Sequence, residues 1–287
     1  MRVPGVAFSL DRMDPVRAID DLGGAARPED LKNLGVTRGR LLRAVRDGRV
    51  ARPRYGVYAL PDATVDAILR AAYRAHLSCL SACRALELPV IEDDRRSHLS
   101  IPRDRARRAN DRRPIKGVVL HRHDEGSLGN DVSRALDLLG LCAGRLQQIV
   151  AVDAALHREL MTEQMLETWV HTDPARRDWI AARCDGGAQS HLETLTRVAL
   201  ADEGFHVESQ VKIPGLGHVD LMVNRALIVE TDGAEFHDNP QAWREDLRRN
   251  NVATRGGYPF LRFTYSDVMG DRALIVAAVK ETLGLPR

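Results

Sequence analysis

Lysine is almost missing from this chain: of 42 basic residues only four are lysines, and 40 acidic residues nearly balance them. The basic side chains are therefore guanidinium groups, which suit bidentate contact with phosphate. Aromatic residues make up only 5% of the sequence. That scarcity leaves no base-stacking platform and ranks RNA below DNA as a partner. The four cysteines, Cys79, Cys83, Cys142 and Cys184, include no CxxC pair, which excludes the zinc-ribbon and thioredoxin-like spacings. Cys79 and Cys83 stand four apart in an apolar helical stretch and read as packing residues in a reducing compartment. No apolar run approaches membrane-spanning length, and no basic start leads into an apolar leader, so the expectation is a cytoplasmic protein with no membrane partner.

A chain of 287 residues with 44% hydrophobic residues has room for two or three domains with proper cores. Its charge is unevenly placed. Residues 1–60 carry twelve basic against seven acidic residues, residues 95–122 ten against two, and residues 186–287 eleven against fourteen. Basic surface belongs to the front and middle, and carboxylate chemistry to the back. The basic segments read as a nucleic-acid face, or as a solvated surface.

The front reads as three helices closed by a hairpin. Asp14-Pro15 caps the first, a second follows Arg27-Pro28, and Thr37 caps a third over residues 38–47 that Gly48 stops. In that third helix Leu41, Leu42 and Val45 form the expected buried stripe, while Arg38, Arg40, Arg43 and Arg46 stay largely outside. Residues 50–60 alternate around a turn as two short strands, with Arg52 and Arg54 near the tip. Three helices and a basic wing spell a winged helix-turn-helix whose third helix enters the major groove. A small helical adaptor without nucleic-acid contact is the other reading.

The middle, residues 61–185, is mixed. Residues 62–85 form an Ala-rich helix or helix pair, residues 98–102 and 117–121 resemble strands, and residues 131–184 are helical. Between the strands lies a basic loop with Arg103, Arg105, Arg107 and Arg108, too densely charged for a packed helix and suited to phosphate contact.

From residue 186 the order is αβββαβα: a helix after Ser190, strands over 205–213, 218–223 and 226–231, a helix over 239–255, a strand over 258–264, and a last helix over 267–283. The expected fold class is thus α/β multidomain: a winged helix-turn-helix (1–60), an α/β middle region (61–185), and a C-terminal mixed sheet flanked by helices (186–287). Asp220 lies in the second strand of the tail, and Glu230 and Asp232 lie two apart at the end of the third, on one side of it. Unpartnered buried carboxylates are expensive. Mg²⁺ or Mn²⁺ would resolve their repulsion, so Asp220, Glu230 and Asp232 are the candidate metal ligands. His237 can take a proton from water or steady a phosphate oxygen, and Glu193 can add a ligand or orient water. Arg249 and Arg262 either neutralise phosphate oxygens or pair with Asp246 and neighbouring carboxylates. A rim of unrelated surface carboxylates is the competing reading of the whole set.

The run Ser190-His191-Leu192-Glu193, Val219-Asp220-Leu221 and Val229-Glu230-Thr231-Asp232-Gly233, followed by His237, Asp246, Arg249, Gly257 and Arg262, resembles the DUF559 family. That family is related to the very-short-patch-repair endonucleases of the PD-(D/E)xK restriction-endonuclease-like superfamily. The resemblance covers about residues 186–275. It implies a metal-dependent endonuclease domain with Asp220 and Glu230 as the core metal carboxylates. It departs from the superfamily pattern in carrying Asp232 where lysine is usual, and from the repair-endonuclease branch in keeping only His237 of two histidines. At the front, Leu31–Leu60, ending in Arg54-Tyr55-Gly56-Val57-Tyr58, resembles the winged-helix domain of AbiEi-type antitoxins of type IV toxin–antitoxin systems. That implies operator binding. Two functions follow: a DNA-binding protein with a phosphodiester-hydrolysing tail acting on double-stranded DNA, or a non-catalytic regulator or antitoxin that also binds a cognate toxin.

Overall fold

Asp14 begins the first helix by accepting the amides of Val16 and Arg17, and the proline behind it is preset for a first helical turn. The computed structural model describes residues 13–92, 94–102, 117–123, 132–232, 248–249 and 251–286. The chain divides into two units, Met1–Ala82 with Asp94–Asn130, and Cys83–Asp93 with Asp131–Arg287.

The first unit opens with α1 (Pro15–Asp21), α2 (Pro28–Asn33) and α3 (Arg38–Arg46), the last capped by Thr37, which accepts the Arg40 amide. Strands β2 (Ala51–Arg54) and β3 (Val57–Ala59) form the wing, and a two-residue strand β1 (Ala25–Ala26) pairs with β3 to give the antiparallel order β1-β3-β2. Ile19, Leu31, Val36, Leu41 and Ala44 close a common core. Leu42 departs from expectation: it is 49% exposed, and Ala44 takes the buried place beside Leu41. A step of 100° from Leu41 carries Leu42 round to the arginine side of α3.

Further along are α4 (Val65–Tyr73), β4 (His76–Leu77) and α5 (Cys79–Ala85), the expected helix pair with a short strand between. Strands β5 (Ser97–Pro102) and β6 (Val118–His123) pair in parallel, and β4 joins β5 antiparallel to give the order β4-β5-β6. The basic segment with Arg103, Arg105, Arg107 and Arg108 lies outside the described residues.

The second unit runs through α6 (Val132–Leu139), α7 (Arg145–His157), a 3₁₀ turn (Glu163–Thr168) and α8 (Pro174–Ala181) to α9 (His191–Asp202), capped by Ser190. Buried Asp153 on α7 pairs with Arg197 on α9 at 2.6 Å and accepts from Thr194. Burial pushes the Asp153 carboxyl up to about 6 even against the opposing pull of Arg197.

Strands β7 (Val207–Ile213), β8 (Gly217–Val223), β9 (Leu227–Asp232) and β10 (Phe260–Thr264) make a sheet of order β10-β9-β8-β7. Three strands run antiparallel and β10 lies parallel to β9, the mixed sheet the element order requires. Asn224 and Arg225, both at positive φ, turn β8 into β9, the backbone demanded by a tight twisted hairpin. On one face Leu221, Val223, Leu227 and Val229 pack with Leu200 of α9, each fully buried side chain contributing about 1.5–3 kcal/mol. The last helix is two: α10 (Tyr265–Met269) ends at Gly270, and Asp271 starts α11 (Arg272–Thr282) by accepting the Ala273 amide. Of the helix expected over 239–255, residues 248–249 and 251–255 are helical and the rest lies outside the described residues.

Candidate nuclease-like site and nucleic-acid face

The site lies where β8 and β9 part. Their paired register runs from Val223↔Leu227 to Leu221↔Val229. Beyond it the carboxylate of Asp220 takes over from the backbone: Oδ2 accepts the Thr231 amide at 2.9 Å. The side chain fills the next rung of the ladder, which fixes Asp220 beside the end of β9.

Glu230 is 6% exposed. Parallel pairing of β9 and β10 sets Arg262 directly opposite it, and the Arg262 guanidinium donates to Glu230 Oε2 at 2.9 Å. Arg249 donates to Oε1 and also to the His218 carbonyl. Arg262 further pairs with Asp232 at 3.4 Å. The sequence left open whether these arginines serve phosphate or pair with carboxylates; in this structure they pair, with Glu230 and Asp232.

Glu193 enters from the first turn of α9, held by the Ser190 cap. It is buried, and its Oε2 accepts the Gln189 amide at 3.0 Å and the Gln210 side chain at 2.9 Å. Gln210 is a partner the sequence did not announce, because nothing in a strand glutamine separates it from a surface residue. Burial raises the carboxyl pKa of both Glu193 and Glu230, and the charge of Asp220 raises both further. The three carboxylates therefore form one electrostatic group drawn from α9, β8 and β9. His237 and Asp246 lie outside the described residues.

The donor chemistry suits an oxygen-seeking divalent cation. The hydrogen bonds of Asp220 and Glu193 fall on Oδ2 and Oε2, leaving Oδ1 and Oε1 without one among the described residues. No three of the described carboxylates stand at metal-ligand spacing. A cation here has to draw them together and compete with Arg249 and Arg262 for Glu230.

Residues 192–283 match the family model REase_MTES_1575. The tail is a restriction-endonuclease-like domain. Residues 14–61 match the model described as transcriptional regulator, AbiEi antitoxin, so the head is an AbiEi antitoxin domain. No curated protein matches the chain.

In this head Arg38, Arg40, Arg43 and Arg46 on α3 are exposed, as are Arg52 and Arg54 on β2. Arg52 lies over the rings of Tyr55 and Tyr58, and Tyr55 is 96% exposed at the wing tip. Exposed Leu42 lies on the same helix as these arginines. No helix among the described residues is long and apolar enough to cross a membrane.

Proposed function

We propose that this chain is a cytoplasmic DNA-binding protein whose tail hydrolyses phosphodiester bonds with the help of Mg²⁺ or Mn²⁺. The head binds duplex DNA by laying α3 in the major groove, with Arg38, Arg40, Arg43 and Arg46 on phosphates and Arg52 and Arg54 of the wing on the flanking backbone. Arg103, Arg105, Arg107 and Arg108 add phosphate contacts. In the tail, Asp220 and Glu230 hold the cation, and Glu193 and Asp232 complete its shell or orient water. Such a cation supplies a Lewis acid for the phosphate and lowers the pKa of water. His237 accepts the proton, and Arg249 and Arg262, once exchanged from Glu230, neutralise the phosphate oxygens.

One observation carries the catalytic reading: buried Glu193 and Glu230 and partly buried Asp220, from three elements, share an electrostatic group in which two carboxylate oxygens lack hydrogen bonds among the described residues. A second reading, a non-catalytic regulator or antitoxin that binds a toxin through an inherited silent site, draws on a different observation: both oxygens of Glu230 are already paired with arginines.

The test is nicking of supercoiled DNA by the full chain. The parent is expected to nick with Mg²⁺ or Mn²⁺ and not with EDTA. Loss of the several kcal/mol a cation supplies predicts that Asp220→Asn is slower by at least about 100-fold, with duplex binding unchanged. If the parent binds duplex DNA but cleaves neither DNA nor RNA, the regulator reading replaces the catalytic one.

A further inference from the structure

Cys79 begins α5 directly after β4, His98 lies on β5 and His121 on β6. Cys79 and His98 are fully buried and His121 nearly so. One ligand atom from each lies within 4.8 Å of the others. The sheet register makes the meeting possible: Ser100 is opposite His121, so His98, two residues earlier on the same face of β5, stacks against His121 with ring centroids 5.8 Å apart.

The hydrogen bonds around His98 leave a definite deficit. Its amide donates to Ser81 Oγ at 2.8 Å. Its Nε2 stands 3.2 Å from both oxygens of Asp94. A carboxylate only accepts, so Nε2 carries the hydrogen and a neutral ring keeps its lone pair on Nδ1. That Nδ1 is buried and has no hydrogen-bond partner among the described residues. A buried acceptor without a donor costs about 1–3 kcal/mol, and protonating the ring would merely replace an orphaned acceptor with an orphaned donor. A histidine whose outer nitrogen is tied to a carboxylate while its inner nitrogen is bare has the arrangement of a metal ligand and the partner that orients it.

Two further features point the same way. Cys79 has φ +55, a left-handed backbone uncommon for a residue with a Cβ, and this conformation is held at the residue bringing a thiol to two imidazoles. The donors are sulfur and nitrogen, the set that selects zinc-class ions over Mg²⁺. Tetrahedral zinc with bonds of about 2.0–2.3 Å sets its ligand atoms roughly 3.3–3.8 Å apart, so small side-chain rotations close the group from its present spacing.

We infer that Cys79, His98 and His121 bind a zinc-class ion that ties the start of α5 to β5 and β6. Asp94 is its positioning residue, acting through His98. The site is separate from the carboxylate group of the tail in both residues and donor chemistry. Cys79 loses its thiol proton to solvent on binding, and neither imidazole changes oxidation state, so no redox partner enters. The ion staples a sheet of three short strands.

The experiment uses the full chain, incubated with Zn²⁺, dialysed and assayed by elemental analysis. About one zinc per chain is expected, lost in Cys79→Ser and kept in Asp220→Asn. Asp94→Asn is expected to bind 10–100-fold more weakly, by about that factor in competition with a chromogenic chelator. Because the ligand variants can fail to fold, the parent is also loaded with Co²⁺, where a thiolate-to-cobalt charge-transfer band is expected. A parent that holds no zinc and shows no such band overturns the inference. So does zinc that Cys79→Ser retains and Asp220→Asn loses.

Discussion

Arginine does opposite work in the head and in the tail. On α3 and β2 six arginines are exposed to solvent, Arg46 pairing with its neighbour Asp47 and Arg52 lying over Tyr55 and Tyr58. In the tail Arg249 and Arg262 are about three-quarters buried and committed to Glu230, with Arg262 reaching Asp232 as well. Exposed guanidinium groups contribute to binding and little to folding, because an isolated surface charge is well solvated either way. Buried ones hold the fold, because removing one strands a carboxylate away from water. The tail therefore tolerates its acidic group without a cation, and a cation is an exchange partner for the arginines rather than a condition of folding.

The largest expected effect separates the two sets through binding. Replacing Arg40, Arg43 and Arg54 with Ala removes about three phosphate contacts and flattens the slope of log affinity against log salt by about 2.7. Unfolding in urea is expected to move by less than about 0.5 kcal/mol. An unchanged slope in duplex titrations at several salt concentrations breaks the comparison at the head.

Next in size is Arg262→Leu, expected to lower stability by about 2 kcal/mol in urea unfolding, less than a fully buried pair loses because Arg262 keeps a quarter of its surface. Duplex affinity is expected to fall by less than in the head variant, which loses about three phosphate contacts rather than one. From the sequence alone, Glu230→Gln should relieve repulsion. With two arginines on Glu230 the expected sign is reversed, a loss of about 1–2 kcal/mol. The Arg262→Leu/Glu230→Gln double variant recovers part of the summed cost, a coupling that a double-mutant cycle reads directly. Full additivity contradicts the pairing.

The smallest effect is in pH. Burial raises Glu193 and Glu230 above their ordinary 4.5, so the folded chain holds protons that the unfolded chain has released. Their contribution to stability is full below 4.5 and is lost as pH rises through the raised values. Asp153, lifted from 3.8 to about 6, has the same sign. Cation binding favours the ionised carboxylates, so the melting temperature in EDTA should approach that in Mg²⁺ as pH falls toward 4.5. Asp153 is common to both curves and drops out of their difference. Parallel curves would show that the cation does not meet these groups.

The head was legible because its punctuation is local: Asp14 and Thr37 cap, Gly48 stops, and the wing alternates. The tail strands were legible from alternation, and Asp220, Glu230 and Asp232 from their places on those strands. What escaped depends on pairing between distant segments. β1 is two alanines that become a strand only beside β3. Arg262 reaches Glu230 only because β10 lies parallel to β9 in one register. Leu42 falls a 100° step from Leu41, on the arginine side of α3, and Ala44 takes the buried place. Gly270 and Asp271 break a helix whose apolar pattern continues across them. Cys79, His98 and His121 come from three elements with no shared spacing, so no motif joins them.

The account rests on Glu193, Asp220 and Glu230 acting as one cation site. Its most direct test is Mn²⁺ titration of the full chain, followed by the paramagnetic resonance signal of the free ion. Zinc is added beforehand so that the Cys79 group is satisfied. The account predicts one Mn²⁺ bound by the parent and by Arg262→Leu, more tightly by the latter because a competitor is gone, and none by Asp220→Asn. Equal Mn²⁺ uptake by parent and Asp220→Asn, or none by the parent, would contradict it.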